Sequence, residues 1–111
     1  MAKTVSFVRV NKYNAKYVES QKNAIEKYLK KSNIELDEQI EIEVNFPKEE
    51  ENIINLLKSC TQSCTVIVSD LNVFGRTTEV ILEILKYLLK KKVRVISVNQ
   101  NLDLIDDQDM L

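Results

Sequence analysis

The chain of 111 residues is short of the residues that most enzymes lean on: one glycine, one proline, two cysteines, no histidine and no tryptophan. Average usage gives about a dozen glycines and prolines together at this length. The single glycine, Gly75, excludes the Walker A loop and the GxGxxG fingerprint, since each needs several glycines at fixed offsets. Without histidine there is no Ser-His-Asp or Cys-His catalysis and no imidazole for a zinc site. Cys60 and Cys64 stand as C-TQS-C, an incomplete zinc set at a spacing other than the redox C-x-x-C, and read as two reduced thiols acting as small hydrophobes. No metal and no cofactor is expected. The opening MAKTVSFVRV has no apolar signal core. No stretch approaches the ~18 apolar residues that span a bilayer, so a cytoplasmic domain without membrane contact is expected.

What is present is a balanced charge that is unevenly spread. The chain is 44% hydrophobic and 30% charged, with a formal net charge of −1. Residues 1–31 carry a net +6, residues 32–52 a net −7 and residues 53–100 a net +4. The last eleven hold four acids, Asp103, Asp106, Asp107 and Asp109, and no base. A dedicated nucleic-acid domain shows an overall basic excess, which this chain lacks. The division expected is one domain over residues 1–100 and an acidic, frayed tail over 101–111.

The patterning alternates strand and helix. Thr4–Val10 reads as a strand and Asn11–Lys16 as a polar loop. From Tyr17 to Lys31 the apolar residues Val18, Ala24, Ile25, Tyr28 and Leu29 recur at helical spacing. Gln39–Phe46 alternates strictly, as an edge strand with one wet face does. Pro47 opens a helix over Lys48–Ser59, with three glutamates in its first turn. Cys64–Ser69 is nearly all apolar, as expected of an interior strand. After the loop Leu71–Arg76, Thr77 or Thr78 caps a helix with the stripe Val80, Ile81, Ile84, Leu85, Leu88 and Leu89. Val93–Val98 is a last strand. This order predicts an α/β fold of three layers, αβα, on a four-stranded mainly parallel sheet in the flavodoxin-like order 2-1-3-4. Ligands gather at the carboxyl ends of such strands, near the switch in strand order. Here that means the loops beginning at Asn11 and Asp70.

Two segments in those loops resemble the catalytic domain of the serine recombinases, the resolvase and invertase family. Phe7-Val8-Arg9-Val10-Asn11 is similar to the family's Tyr-x-Arg-Val-Ser. Leu71-Asn72-Val73-Phe74-Gly75-Arg76-Thr77 is similar to Leu-Asp-Arg-Leu-Gly-Arg-Ser. Gln21 stands near the family's helix glutamine. The resemblance covers the order of elements along essentially the whole chain. It implies a resolvase-like fold, DNA as partner, and Arg9, Gln21 and Arg76 as phosphate-binding or DNA-binding candidates. A glycine before Arg76 would let the chain turn sharply there.

The departures fall on the chemistry. The family's serine attacks a DNA phosphodiester and becomes joined to the 5′ phosphate; the matching residue here is Asn11, whose carboxamide is not such a nucleophile. Ser6 lies inside a strand and Ser20 well along a helix, so neither replaces it. Asn72-Val73 stands for an Asp-Arg pair, removing one of the arginines that stabilise developing phosphate charge. The expectation is a site-specific serine recombinase-like domain for DNA recombination that is catalytically inactive and acts by binding DNA or another recombinase subunit, in a homo- or hetero-oligomer. Two alternatives stay open: an active recombinase or nuclease with another nucleophile, and a plain α/β protein-interaction module. Asp70 invites comparison with phosphoacceptor domains, but Asn11-Lys12 does not supply the acidic pair that would hold magnesium.

Overall fold

The computed structural model describes residues 3–10, 13–43, 64–75 and 77–105. Asn11, Cys60, the helix expected over 48–59, Arg76 and residues 106–111 lie outside the described residues. The elements are β1 (Lys3–Val10), α1 (Ala15–Ser32), β2 (Glu38–Glu43), β3 (Cys64–Val68), a 3₁₀ turn (Leu71–Phe74), α2 (Thr78–Lys90), β4 (Arg94–Ser97) and β5 (Leu102–Leu104). They form one sheet in the order β2-β1-β3-β4-β5. The first four strands are parallel and β5 is antiparallel to β4.

The α/β class and the 2-1-3-4 order are as the patterning predicts, with one correction: the sheet has five strands, not four. The fifth forms within the stretch read as an acidic tail. Leu104 there is 7% exposed against the core, and Asp103 receives a two-pronged hydrogen bond from Arg94 across the β4–β5 pair, with Nε to Oδ1 at 2.8 Å. An arginine fork matched to a carboxylate is worth more than a single-pronged pair. Three residues with one acid in the middle give no periodic signal, which is why the strand escaped the pattern.

Burial explains the strand positions. In β3, Val66, Ile67 and Val68 are fully buried, because helices cover both faces of an interior strand. β2 is at the edge, with Ile42 buried while Glu38, Gln39 and Glu41 are exposed. On one face, α1 lays Ile25 against Val8, Ile67 and Ile96. On the other, α2 packs Ile84, Leu85, Leu88 and Leu89 over Val5, Phe7, Val66, Val68 and Val95. Burying each of those four α2 side chains stabilises the fold by about 1.5–3 kcal/mol.

The helix ends follow capping chemistry. Thr77 caps α2, its Oγ1 accepting from the Val80 N–H at 3.2 Å. α1 starts at Ala15, two residues earlier than its apolar spacing suggests, because the Asn14 side chain accepts from the Tyr17 N–H at 3.1 Å. It ends at Asn33, in the left-handed conformation with φ 55°, a geometry asparagine tolerates better than most residues.

Gly75 needs its missing side chain for a different reason from the expected sharp turn. Its backbone is extended, with φ 178° and ψ 171°. A Cβ there would lie 2.5 Å from Val80 Cγ1 and 2.9 Å from Val80 Cβ. The glycine lets the chain after β3 run flush against the first turn of α2.

Candidate functional site

The sheet parts where the switch in strand order leads one to look. Pairing of β1 with β3 ends at Ser6–Ile67, whereas pairing with β2 runs on to Val10–Glu43. The last residues of β1 therefore have peptide groups on the β3 side that no strand satisfies. Gln21 satisfies them at Arg9. Its Oε1 accepts from the Arg9 N–H at 2.9 Å, and its Nε2 donates to the Arg9 carbonyl at 2.8 Å. A second Nε2 contact reaches the Tyr17 carbonyl at 3.3 Å. The carboxamide thus acts as one residue of a missing neighbouring strand. It is 2% exposed, so both ends of its amide are spent on the backbone.

Arg9 is held in turn. It points to the α2 side, in register with Val5 and Phe7, and is 7% exposed. Its Nη1 donates to the Val73 carbonyl at 3.1 Å. Phe7, two residues earlier, meets Phe74 edge-on with ring centres 5.9 Å apart. The 3₁₀ turn is therefore pinned to β1 by one aromatic contact and one guanidinium. A cation this deep is stable only with its donors engaged.

Asn72 and Val73, the positions expected to depart from the family's Asp-Arg pair, differ in burial. Asn72 is exposed, while Val73 is fully buried in the core beside Phe74. Asp70, just before the turn, accepts from Asn99 Nδ2 at 3.1 Å, which ties the turn to the segment after β4. Gln100 adds a second tie: its Oε1 accepts from the Leu71 N–H at 3.0 Å and from Ser97 Oγ at 2.7 Å. The hydroxyls of Ser6 and Ser69 are buried, the residues being 0% and 1% exposed. Neither is placed to meet a ligand from solvent.

Tyr17 belongs to this neighbourhood and was not singled out in the sequence. It stands one helical turn before Gln21 on α1, and its phenol feels both Arg9 and Asp70. Burial pushes its pKa above the usual phenol value; Arg9 opposes that shift and Asp70 adds to it. The i, i+4 spacing from Gln21 is the signal that would have found it. Thus Arg9, Gln21 and Tyr17 meet at the end of β1, with Asp70 and the Val73 carbonyl facing them. Among the described residues no group of three or more Cys, Asp or Glu side chains is arranged to hold a metal ion. No helix among them is long and apolar enough to cross a membrane.

The family model for the resolvase N-terminal domain matches residues 4–111. The chain belongs to the resolvase N-terminal domain family. Among solved structures, the fold is similar to a resolvase family site-specific recombinase from Streptococcus pneumoniae, with a TM-score of 0.69 and 20% identity over 99% of this chain and 80% of that one. It is similar to the N-terminal catalytic domain of TP901-1 integrase, with a TM-score of 0.68 and 20% identity over 97% of this chain and 85% of that one. A third likeness is to the C-terminal catalytic domain of ISC1926 TnpA, an IS607-like serine recombinase, with a TM-score of 0.61 and 17% identity over 86% and 67% of the two chains. No curated protein matches the sequence. At these identities the structural likenesses speak for the resolvase-like fold alone.

Proposed function

We propose that this resolvase-type domain holds DNA without cutting it, alone or beside another recombinase subunit. The observation that carries the proposal is the pairing of Asn11 at the nucleophile position with Val73, fully buried at the position of a phosphate-clamping arginine. A carboxamide supplies no attacking oxyanion, and a buried valine supplies no charge to a developing phosphorane. In this reading Arg76 is the cation that meets phosphate, Arg9 braces the pocket through the Val73 carbonyl, and Gln21 is a positioning residue that fixes the Arg9 backbone. Guanidinium forks match phosphate oxygens, so such contacts anchor a duplex without reading its sequence.

The rival reading, cleavage by a different nucleophile, has Tyr17 as its best candidate among the described hydroxyls. A phenol whose pKa is pushed up stays protonated and is a weaker nucleophile at neutral pH, which favours the binding reading. Covalent trapping separates the two. End-labelled duplex DNA from the parent locus is incubated with the full chain and run on a denaturing protein gel. No labelled protein is expected. A labelled band that disappears in Tyr17→Phe would overturn the proposal. Anisotropy with the same duplex should give measurable binding that weakens about tenfold for Arg76→Ala, in the range of a lost charge-assisted phosphate contact.

A further inference from the structure

A cleft lies beyond the Arg9 pocket, sharing Asn99 with its border, in the groove between α1 and the turn joining β4 to β5. It is a cleft of about 440 Å³, within the size range of small-ligand sites. Its α1 wall carries Asn23, Lys27, Tyr28 and Lys31, and its other wall carries Asn99 and Asn101. Asn101 is held in the left-handed conformation, with φ 55°.

The charges single this cleft out. Lys22 pairs with Glu41 at 3.1 Å and Lys30 with Glu26 at 3.3 Å. Lys27 and Lys31 face the cleft, and among the described residues neither has a carboxylate partner. Like charges at i, i+4 repel only weakly along a helix, a cost that an anion held between them would relieve. The helix dipole offsets part of this at the C-terminal end, and only there.

The remaining groups suit more than a bare anion. Asparagine amides both donate and accept, as base edges do. Tyr28 packs on the Val8–Ile25–Ile67–Ile96 cluster, which fixes its ring in the cleft wall, and bases stack on such rings. Asn23 and Lys31 are eight residues apart, about 12 Å along the helix axis, room for one nucleoside and its phosphate. We propose that this cleft binds a nucleoside phosphate, with the phosphate on Lys27 and Lys31 and the base between Tyr28 and the asparagines. The cleft adjoins the Arg9 pocket through Asn99, whose Nδ2 donates to Asp70, but the proposal does not depend on whether that pocket meets DNA.

Amide NMR of the full chain, titrated with deoxyadenosine monophosphate, with the single strand (dT)8 and with inorganic phosphate, tests this. Saturable shifts are expected at Asn23, Tyr28, Asn99 and Asn101. The affinity should fall at least tenfold in Lys27→Ala/Lys31→Ala and stay unchanged in Lys86→Ala, an exposed lysine on α2. For the strand, the slope of log K against log salt should drop by about 1.4 in the double variant, at about 0.7 per contacted phosphate. Saturation by the mononucleotide identifies a free nucleotide as ligand, and saturation by (dT)8 alone identifies a segment of DNA strand; either supports the proposal. Shifts that are absent, that map elsewhere, or that survive the double variant would overturn it, as would equal binding of inorganic phosphate. Duplex binding by Arg76→Ala, followed by anisotropy, reports on the other pocket, so failure of one reading is distinguishable from failure of the other.

Discussion

Replacing Gln21 with leucine tests whether one buried amide holds the end of β1. The side chain is nearly volume-matched, so cavity formation contributes little. What is lost is the pair of bonds at 2.9 and 2.8 Å to the Arg9 peptide and the longer one to the Tyr17 carbonyl. Leucine leaves the Arg9 N–H and C=O without partners in a site that is 2% exposed at residue 21. Each buried backbone group left unsatisfied costs about 1–3 kcal/mol. Because some relaxation toward water follows, a total of about 2–4 kcal/mol is expected, against a typical domain stability of about 5–15 kcal/mol. In a domain of this size that lowers Tm by roughly 10–20 °C. Urea melts followed by circular dichroism measure it, with Gln39→Leu as the exposed control, expected to change stability by less than about 0.5 kcal/mol. A loss below about 0.5 kcal/mol in Gln21→Leu would refute the claim that the amide stands in for a missing strand. Gln21→Glu adds a pH test. A buried carboxylate there has a folded-state pKa above its unfolded value of about 4.3. Its penalty is therefore absent at low pH and grows as pH rises past that value, so the Gln21→Glu defect should be larger at pH 8 than at pH 4.

Gly75→Ala drives a methyl into the side chain of Val80 at 2.5 Å, and overpacking of this kind costs about 1–3 kcal/mol; the double variant Gly75→Ala/Val80→Ala should recover part of it in the same melts. Thr77→Ala removes the cap of α2 and should cost about 1 kcal/mol, with Thr77→Ser near wild type. Arg94 holds the Asp103 carboxyl below its ordinary pKa, chiefly through their hydrogen bonds. The stability from this pair is therefore present above the unfolded carboxylate pKa and is lost as pH falls through the folded one. Both side chains are more than 40% exposed, so screening limits the effect to under about 1 kcal/mol; Asp103→Asn should remove it and flatten stability between pH 5 and 2. A spectrophotometric titration should show one phenol fewer above pH 10 in Tyr17→Phe, with the missing phenol titrating higher than a free tyrosine.

The fold was legible where periodicity is long. The stripe of α2 and the alternation of β2 each repeat enough times to outweigh local noise, and the run in β3 could only be an interior strand. β5 was not legible, because three residues carry no period and its stability comes from Arg94, nine positions earlier in the chain. Gln21 entered as a candidate only through the family resemblance. Its full burial could not be foreseen, since glutamine is ordinarily exposed and the need for it arises only where β1 and β3 part. Tyr17 went unnoticed for a related reason: nothing in the local sequence says that the first turn of α1 overhangs the ends of β1 and β3. Gly75 was noticed for its rarity and assigned a turn, whereas its role is a close approach to a residue five positions on.

The two borders of the sheet also decide how this molecule can meet others. One border is β2, whose exposed positions carry Glu38 and Glu41, neutralised by Lys3 at 3.0 Å and Lys22 at 3.1 Å. The other is β5, three residues long and fastened back by Arg94. Charged, short borders discourage the edge-to-edge growth that ends in fibres. Among the described residues, neither border offers a long, uncharged strand to a visiting chain, which turns contacts with other molecules toward the helices and the loops at the open end of the sheet.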